Sequence, residues 1–503
     1  MKIELLPGER WWTGRVMDGT RMPVKAGDEY ALDLRRITPN QGAPLWLSSK
    51  GRWLWSDGPF TASVRGGAIE PEDGVHLEQG CGDLRGAQQA AAKARQRYHG
   101  QMPDARCFSA PIYGNWIEMG TDATQERVLA YARDIVRHGM KPGLMIIDDN
   151  WTFRYGEWRF DGGHYPDPKA MVDELHRMGF AVMLWLVPYV CAAGEPFLTL
   201  AKRGLLVKDE SGRPKLFDWW DGTSCLLDMS SPEARAYLTD QLDELRAKYG
   251  VDGFKFDAGN PLLPMPGAVT HRPLAPCEDC RLYAELGLRY PLAEYREGWD
   301  MGGAPLMMRQ QDKPHDWEEG LGLLIPNGIA QSLLGYYYHC PDMVGGGEIN
   351  SIDGGTAIDQ ELFVRFAQAS ALFPIVQFSR APYKALDESH FRLVLAALDE
   401  REKRLPLIER LARAAAEHDE PILTPLCYFA PNEGLEDVSD EFALGRDVIV
   451  APVLQKGQTR KAFRLPAGTW RDWRGGTHVV SPGAAVTLPV SLADLPVFER
   501  AQP

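Results

Sequence analysis

The 503-residue chain has few cysteines: Cys81, Cys107, Cys191, Cys225, Cys277, Cys280, Cys340 and Cys427 are scattered, unlike the disulfide framework of a small secreted protein. Cys277 and Cys280 make one CxxC with no second pair at zinc spacing, so structural thiols are expected there rather than a metal or redox centre. No run of 18 or more apolar residues occurs, and the opening stretch Met1–Pro7 has no apolar signal core. A soluble, cytoplasmic protein with no membrane partner is therefore expected. Basic residues are outnumbered, 55 Lys and Arg against 69 Asp and Glu. The net charge of −14 gives no support for nucleic acid as a partner and fits a neutral or small polar substrate. There is no Ser-centred nucleophile elbow, no HExxH, no phosphate loop and no Gly-rich dinucleotide loop, so no cofactor is expected. Internal repeats of 20–50 residues and low-complexity segments are also missing.

What is present is length enough for two or three domains, one of them large enough for a barrel of about 250 residues. Residues 1–105 carry short strand-like pieces broken by Gly, Pro and Asp, such as Glu29–Leu34 and Gly51–Trp55, and read as an N-terminal β-sandwich-like domain. Gln88–Tyr98 looks helical and leads onward. Residues 106–417 alternate strands with helices. Ala110–Trp116, Gly143–Asp149, Ala181–Pro188 and Val251–Asp257 are the strands. Helices run from Asp122 to His138, from Asp167–Pro168 and from Ser231–Pro232, and are closed by Gly139, Gly179 and Gly250. Residues 260–304 read as a Pro- and Gly-containing excursion, and 388–417 as a helix. Residues 418–503 return to short strands and read as a C-terminal β-sandwich domain. The repeated βα pattern predicts an α/β fold with a (β/α)8 TIM barrel whose site lies at the carboxyl ends of the strands. A doubly wound open sheet is the alternative.

The stretch Val251–Gly259 organises the rest. Strand alternation turns Lys255 and Asp257 to one side and Phe254 and Phe256 to the other. A carboxylate and an ammonium inside a parallel sheet are costly unless they serve each other or a ligand, so the reading is a functional site or a buried structural pair. Other strand ends add Asp148, Asp149, Asp312 and Asp342, with Trp151, Trp185 and Arg309. Abundant Trp is by itself explained by core packing. Carboxylates at several strand ends suit two chemistries, glycoside cleavage by a carboxylate pair or binding of a hard divalent cation. Lys255 and Arg309, two and three residues from Asp257 and Asp312, weigh against the metal.

These motifs resemble the glycoside hydrolase family 31 α-glycosidases. Gly253–Asp257 is similar to that family's nucleophile strand. Asp312 through Trp317 keeps its acid/base aspartate with a Trp five residues on. Ile147–Trp151 resembles the segment whose aspartate holds the outer hydroxyls of the sugar, and Pro341–Gly346 the late Asp-x-x-Gly-Gly turn. Arg446–Leu454 and Leu465–Trp470 resemble the family's C-terminal sandwich. Two departures stand out. Pro374–Pro382 places Ser379 where the α-glucosidases carry a His, and the segment between Arg309 and Asp312 is short. The Gln377–Ser379 stretch, with the Asp148–Trp151 and Pro341–Met343 segments, instead resembles the branch holding the myogenesis-regulating glycosidase and bacterial α-galactosidases.

The resemblance implies a retaining, exo-acting α-glycosidase, first of all an α-galactosidase, acting on an α-linked oligosaccharide or glycoside. In that scheme Asp257, ionised and held by Lys255, is the nucleophile, and Asp312, kept protonated by a raised pKa, is the acid/base. Asp148, Asp149, Trp151, Trp185, Lys255, Arg309, Trp317 and Asp342 are then expected around the substrate. Activity on α-glucosides, α-xylosides or α-N-acetylgalactosaminides, a non-catalytic sugar-binding protein and a metal-assisted barrel hydrolase are the other readings. A homo-oligomer is compatible with all of them.

Overall fold

The computed structural model describes residues 1–36, 38–219, 222–259, 265–352 and 358–501. Eight parallel strands form the central sheet: β1 (Ile112–Gly114), β2 (Leu144–Ile147), β3 (Ala181–Leu186), β4 (Gly253–Phe256), β5 (Leu292–Tyr295), β6 (Met307–Arg309), β7 (His339–Cys340) and β8 (Gln377–Phe378). Neighbours pair in chain order from β1 to β7, and β8 pairs with β1 through Ile112↔Gln377 and Tyr113↔Phe378. The seam between β7 and β8 is closed by a parallel bridge, Met343↔Gln377, and by hydrogen bonds from Val344 N to Gln377 O (2.8 Å) and from Ile375 N to His339 O (3.2 Å). The open-sheet alternative is thereby set aside.

The surrounding helices follow their sequence signals. In α1 (Gln125–Arg137) the Thr124 hydroxyl accepts from Arg127 N, and Val128, Tyr131, Ala132 and Ile135 are buried while Val136 faces solvent. In α2 (Pro168–Arg177) Asp167 caps the first turn, and Met171, Val172 and Leu175 face the barrel. In α3 (Pro232–Tyr249) Ser231 caps, Pro232 sits in the first turn, and Gly250 ends the helix at φ 83°, a left-handed conformation that costs any other residue.

Of the expected excursion 260–304, residues 260–264 lie outside the described residues, and 265–304 are not irregular. They contain α4 (Pro276–Leu286) and the whole of β5. Leu292-Ala293-Glu294-Tyr295 conceals a core strand because charge interrupts its apolar run. The Tyr295 ring stacks on Phe256 (centroids 4.7 Å apart) on the helix side, which leaves Glu294 to the barrel interior. Cys277 and Cys280 are free thiols in the first turn of α4, packed with Trp299 into the N-terminal core.

Before the barrel, two four-stranded sheets enclose a core of Trp11, Trp46, Phe60, Ile69 and their neighbours. Within the barrel, α5 (Leu324–Leu333) follows β6 and α6 (Gln360–Ala371) follows β7; after β8 come the long α7 (Glu388–His418) and a six-stranded sheet with a two-stranded partner, 460–464 with 485–489. From α7 the buried Arg401 reaches beneath the barrel. Its guanidinium donates to the carbonyls of Phe108, Ala371, Phe373 and Pro374 at 2.7–2.9 Å.

Candidate active site

At the carboxyl end of β4 the alternation predicted from the sequence holds, but Lys255 serves a different partner. Its ammonium donates to Asp148 Oδ2 at 2.7 Å across the β2–β4 gap, and both side chains are buried. Lys255 therefore reaches Asp257 only as a nearby charge, which corrects the expectation that it holds that carboxylate. Asp257 is held by three other groups. Trp185 Nε1 at the end of β3 donates to Oδ2 (3.1 Å), Ala258 N donates to Oδ1 (2.9 Å), and Arg296 Nη2 stands 3.3 Å from Oδ1. Burial alone would raise the Asp257 carboxyl, but Arg296, then Lys255 and Arg309, hold it far below the usual carboxylate range.

Arg296, just beyond β5, is the largest omission from the sequence reading. Its Nη1 donates to Asp312 Oδ2 at 2.8 Å while Nη2 faces Asp257, so one planar guanidinium spans both carboxylates. Arg309, at the end of β6, gathers three carboxylates, Asp312 again among them. Nη1 donates to Asp312 Oδ1 (2.6 Å) and Asp342 Oδ1 (2.9 Å), and Nε lies 3.5 Å from Glu294. Burial works against the Asp312 charge, yet Arg309 and Arg296 outweigh it and lower the carboxyl. Asp312 is thus not kept protonated by its own surroundings, contrary to the sequence expectation.

Other carboxyls near this pair shift the opposite way, because burial disfavours their charged forms. Burial raises Glu294, lifts Glu297 to about 7, and lifts Asp342 to about 6 despite Lys313 and Arg309. Lys313, fully buried with Nζ donating to the carbonyls of Gln311 and Pro341, is lowered to about 8. Asp312 and Asp342 share one Arg309 nitrogen, which makes their titrations those of a pair.

The remaining expected residues divide. Asp149 accepts from Tyr155 Oη (2.7 Å), and Asp148 N donates to Asn115 Oδ1 (2.6 Å). Asp342 also accepts from Lys313 N and Gly347 N. Trp151 is fully buried against Trp158 and Phe160, and its indole donates to the Trp185 carbonyl (2.7 Å). It backs the wall and offers no surface to a ligand, because residue 151 follows a turn that drives the ring under β3. Trp317 is half-buried, with its indole N–H on Asp359 (3.2 Å). Ser379 accepts from Ile117 N (2.8 Å) and so fastens β8 to the turn after β1. Asn115, Glu294, Arg296, Glu297 and Lys313 escaped sequence reasoning. For Glu294 and Arg296 the signal available was the two-residue alternation of β5.

Backbone strain marks the same strand ends. Asn150, Ala258 and Asp342 are non-glycine residues at φ 67°, 53° and 125°, and each lies within a residue or two of a carboxylate of the cluster or is one of them. Such conformations persist only where the surroundings enforce them.

Comparison with known proteins agrees with this geometry. A family model described as the glycosyl hydrolases family 31 TIM-barrel domain matches residues 109–279, and the glycosyl hydrolase family 31 C-terminal domain matches 419–502. The myogenesis-regulating glycosidase of Mus musculus is 33% identical over 413 residues, covering 79% of this chain and 57% of its own length. The 1,3-alpha-isomaltosidase of Kribbella flavida is 25% identical over 435 residues, covering 80% and 58%. The chain thus spans little more than half the length of these curated relatives. Among solved structures, an alpha-xylosidase from a soil metagenome complexed with xylose superposes with a TM-score of 0.83 at 21% identity, covering 99% of this chain and 79% of that one. A Flavobacterium johnsoniae dextranase complexed with glucose gives 0.85 at 17%, covering 99% and 66%. The two family models match barrel and C-terminal domain in chain order and together take in just over half of the sequence, and on that ground the chain belongs to glycosyl hydrolase family 31.

Proposed function

We propose that this protein is a retaining, exo-acting α-glycoside hydrolase, and that its substrate is an α-galactoside. The observation that carries the reading is Arg296 bridging Asp257 and Asp312. Asp257 and Asp312 stand 3.3 and 2.8 Å from the two ends of one guanidinium, which holds them close together, and double displacement needs such a pair, about 5–5.5 Å apart. Asp257 is ionised and aimed by Trp185, as a nucleophile must be. It attacks the anomeric carbon as the glycosidic C–O bond breaks, and the departing oxygen takes a proton from Asp312. Water then gives a proton back to Asp312 and attacks the same carbon, which releases the sugar and frees Asp257. Asp312 draws its proton from the pair it forms with Asp342, whose carboxyl sits near 6. Asp148 and Asp149 take sugar hydroxyls, with Lys255 holding Asp148 in place, and Trp185 lines the wall.

Galactose rests on the resemblance of the Gln377–Ser379, Asp148–Trp151 and Pro341–Met343 segments. The relatives named as isomaltosidase, α-xylosidase and sulfoquinovosidase support α-linked substrates in general. The test is hydrolysis of a chromogenic panel by the purified protein, comprising α-galactoside, α-glucoside, α-xyloside and α-N-acetylgalactosaminide. EDTA is present throughout, and Asp257→Ala serves as control. Cleavage of the α-galactoside alone, lost in the control, is expected. Preferential cleavage of another sugar overturns galactose, and turnover by the Asp257→Ala protein overturns the mechanism.

A further inference from the structure

The first domain does more than flank the barrel. Its segment Asn40–Gly42 enters the barrel wall, where Gln41–Gly42 pairs in parallel with Gly298–Trp299, just past β5. Gly42 O accepts from Asp300 N (2.9 Å) and from Tyr336 Oη (2.7 Å), and a Cβ at Gly42 would meet the Trp299 ring and the Gly14 carbonyl at 3.1–3.2 Å. A side chain there would press on both, and they would have to give by a few tenths of an ångström.

The two side chains before that glycine are fully buried and fully used. Gln41 has two amide hydrogens; one is donated to the carbonyl of Arg296 and the other to the carbonyl of Arg309 (2.9 Å). Its oxygen accepts from Gln331 Nε2 (2.7 Å), which also donates to Met308 O. Asn40 grips a single residue from both sides. Its Oδ1 accepts from Gln311 N (2.7 Å) and its Nδ2 donates to Gln311 Oε1 (3.1 Å). The three residues so held are Arg296, Arg309 and Gln311. Two of them carry the guanidiniums that face Asp257 and Asp312, and the third immediately precedes Asp312.

An amide of the wrong length or polarity cannot do this. The segment between Arg309 and Asp312 is too short to form secondary structure of its own, so its shape is dictated by what it touches. Gln310 is tied inward to Gln331 and Leu324 O, and Gln311 is tied outward to Asn40. We infer that Asn40 and Gln41 are positioning residues for catalysis, a clamp from the N-terminal domain that fixes Asp312 and the two arginines against Asp257. This inference rests on the glycosidase reading above and adds a role for residues outside the barrel.

A clamp on the acid/base residue has a signature that general loosening of the protein lacks. Proton donation matters for a poor leaving group such as a methoxide or a sugar, and little for an activated phenol that leaves unaided. Asn40→Ala and Gln41→Ala are compared with the parent on an alkyl glycoside and a dinitrophenyl glycoside of the sugar that the parent cleaves. The expected result is a loss of at least 10-fold in kcat/KM, which reports the steps up to the glycosyl-enzyme, on the alkyl substrate and under 3-fold on the activated one. The thermal midpoint should be retained within a few degrees. Gln41→Glu, which turns an acceptor toward two carbonyls, is expected to show the same split more strongly. Equal losses on both substrates, or none, in variants that stay folded would overturn the clamp. If either alanine variant does not fold, Asn40→Asp, which keeps the acceptor for Gln311 N, gives the same readout. A parent protein inactive on every glycoside would instead overturn the glycosidase reading itself.

Discussion

Replacing Arg296 by Met keeps the length and much of the apolar volume of the side chain and removes only the charge that joins Asp257 to Asp312. At the observed 3.3 Å from Asp257, a unit charge in an effective dielectric of about 20 is worth about 5 kcal/mol, or between 3 and 4 pH units as an upper figure at about 1.36 kcal/mol per unit. Water at the mouth, where the Asp257 side chain keeps 16% exposure, and the remaining Lys255 and Arg309 reduce this to about 1–3 units. The sign is fixed. An acid whose pKa is depressed by a cation rises when the cation goes, and the bare repulsion between Asp257 and Asp312 acts in the same direction. The assay is kcat/KM against pH on an activated glycoside, where Asp257 must be ionised and Asp312 is least needed. The acidic limb of the Arg296→Met profile should move up by about 1–3 units, so activity at the acidic end of the profile should fall further than activity at pH 8. Arg296→Lys, which restores charge without the two-pronged reach, should return the limb most of the way but not the maximal rate. A Met variant whose profile is merely scaled down, with its acidic limb in place, would refute the idea that this guanidinium sets the nucleophile's ionisation.

Three further outcomes follow from the same geometry. Trp185→Phe deletes the indole N–H on Asp257, a hydrogen bond to a charged acceptor worth about 1.5–3 kcal/mol, so kcat/KM should drop roughly 10- to 100-fold; a drop under 3-fold would remove Trp185 from the site. Lys255→Met and Asp148→Asn should each cost about 3–5 kcal/mol in urea unfolding because each strands a buried charge or its partner. The double variant should cost clearly less than the sum, and strict additivity would deny that the pair is coupled. Glu297, raised to about 7 by burial, binds more protons folded than unfolded, so its contribution to stability is lost as pH rises from its ordinary 4.5 through 7. Glu297→Gln should therefore match the parent near pH 4.5 and exceed it by about 1–3 kcal/mol at pH 8, and a gain equal at both pH values would count against that ionisation.

The parts of the fold that the sequence exposed are those where pattern and local chemistry agree. Helix α1 announced itself by its closing glycine, α2 and α3 by cap, proline and closing glycine, β3 by its apolar run, and β2 and β4 by apolar runs ending in carboxylates. The segment Leu292–Glu297 did not, because a barrel interior that holds Glu294 and Arg296 breaks the apolar run by which a central strand is recognised. The strand is stabilised by ions its neighbours supply, Arg309 facing Glu294 and the two aspartates facing Arg296. Partner choice was likewise out of reach. Lys255 and Asp257 are two residues apart and point the same way, yet the ammonium lies across the barrel on Asp148, and only the register of β2 against β3 and β4 brings that residue close. Trp151 misled for a similar reason, since a Trp after two aspartates reads as a ligand wall until the turn buries it. The Asn40–Gln41 clamp leaves no trace in a chain read one segment at a time, its partners being 255–271 residues away.

The guanidinium of Arg401 has a temporal consequence. It joins the carbonyl of Phe108, just ahead of β1 and 293 residues before Arg401 in the chain, to carbonyls just ahead of β8. During synthesis β1 emerges early, but the strand that covers its free side, at Gln377–Phe378, and the cation that ties their roots together, at Arg401, are made far later in the chain. Until then one edge of the growing sheet stands unpaired, the condition that invites wrong partners and slow closure in folds dominated by distant contacts. From the ribosome's point of view the ring is completed late, and a nascent chain released before β8 is made would carry the residues of the active site on a sheet that cannot become a circle.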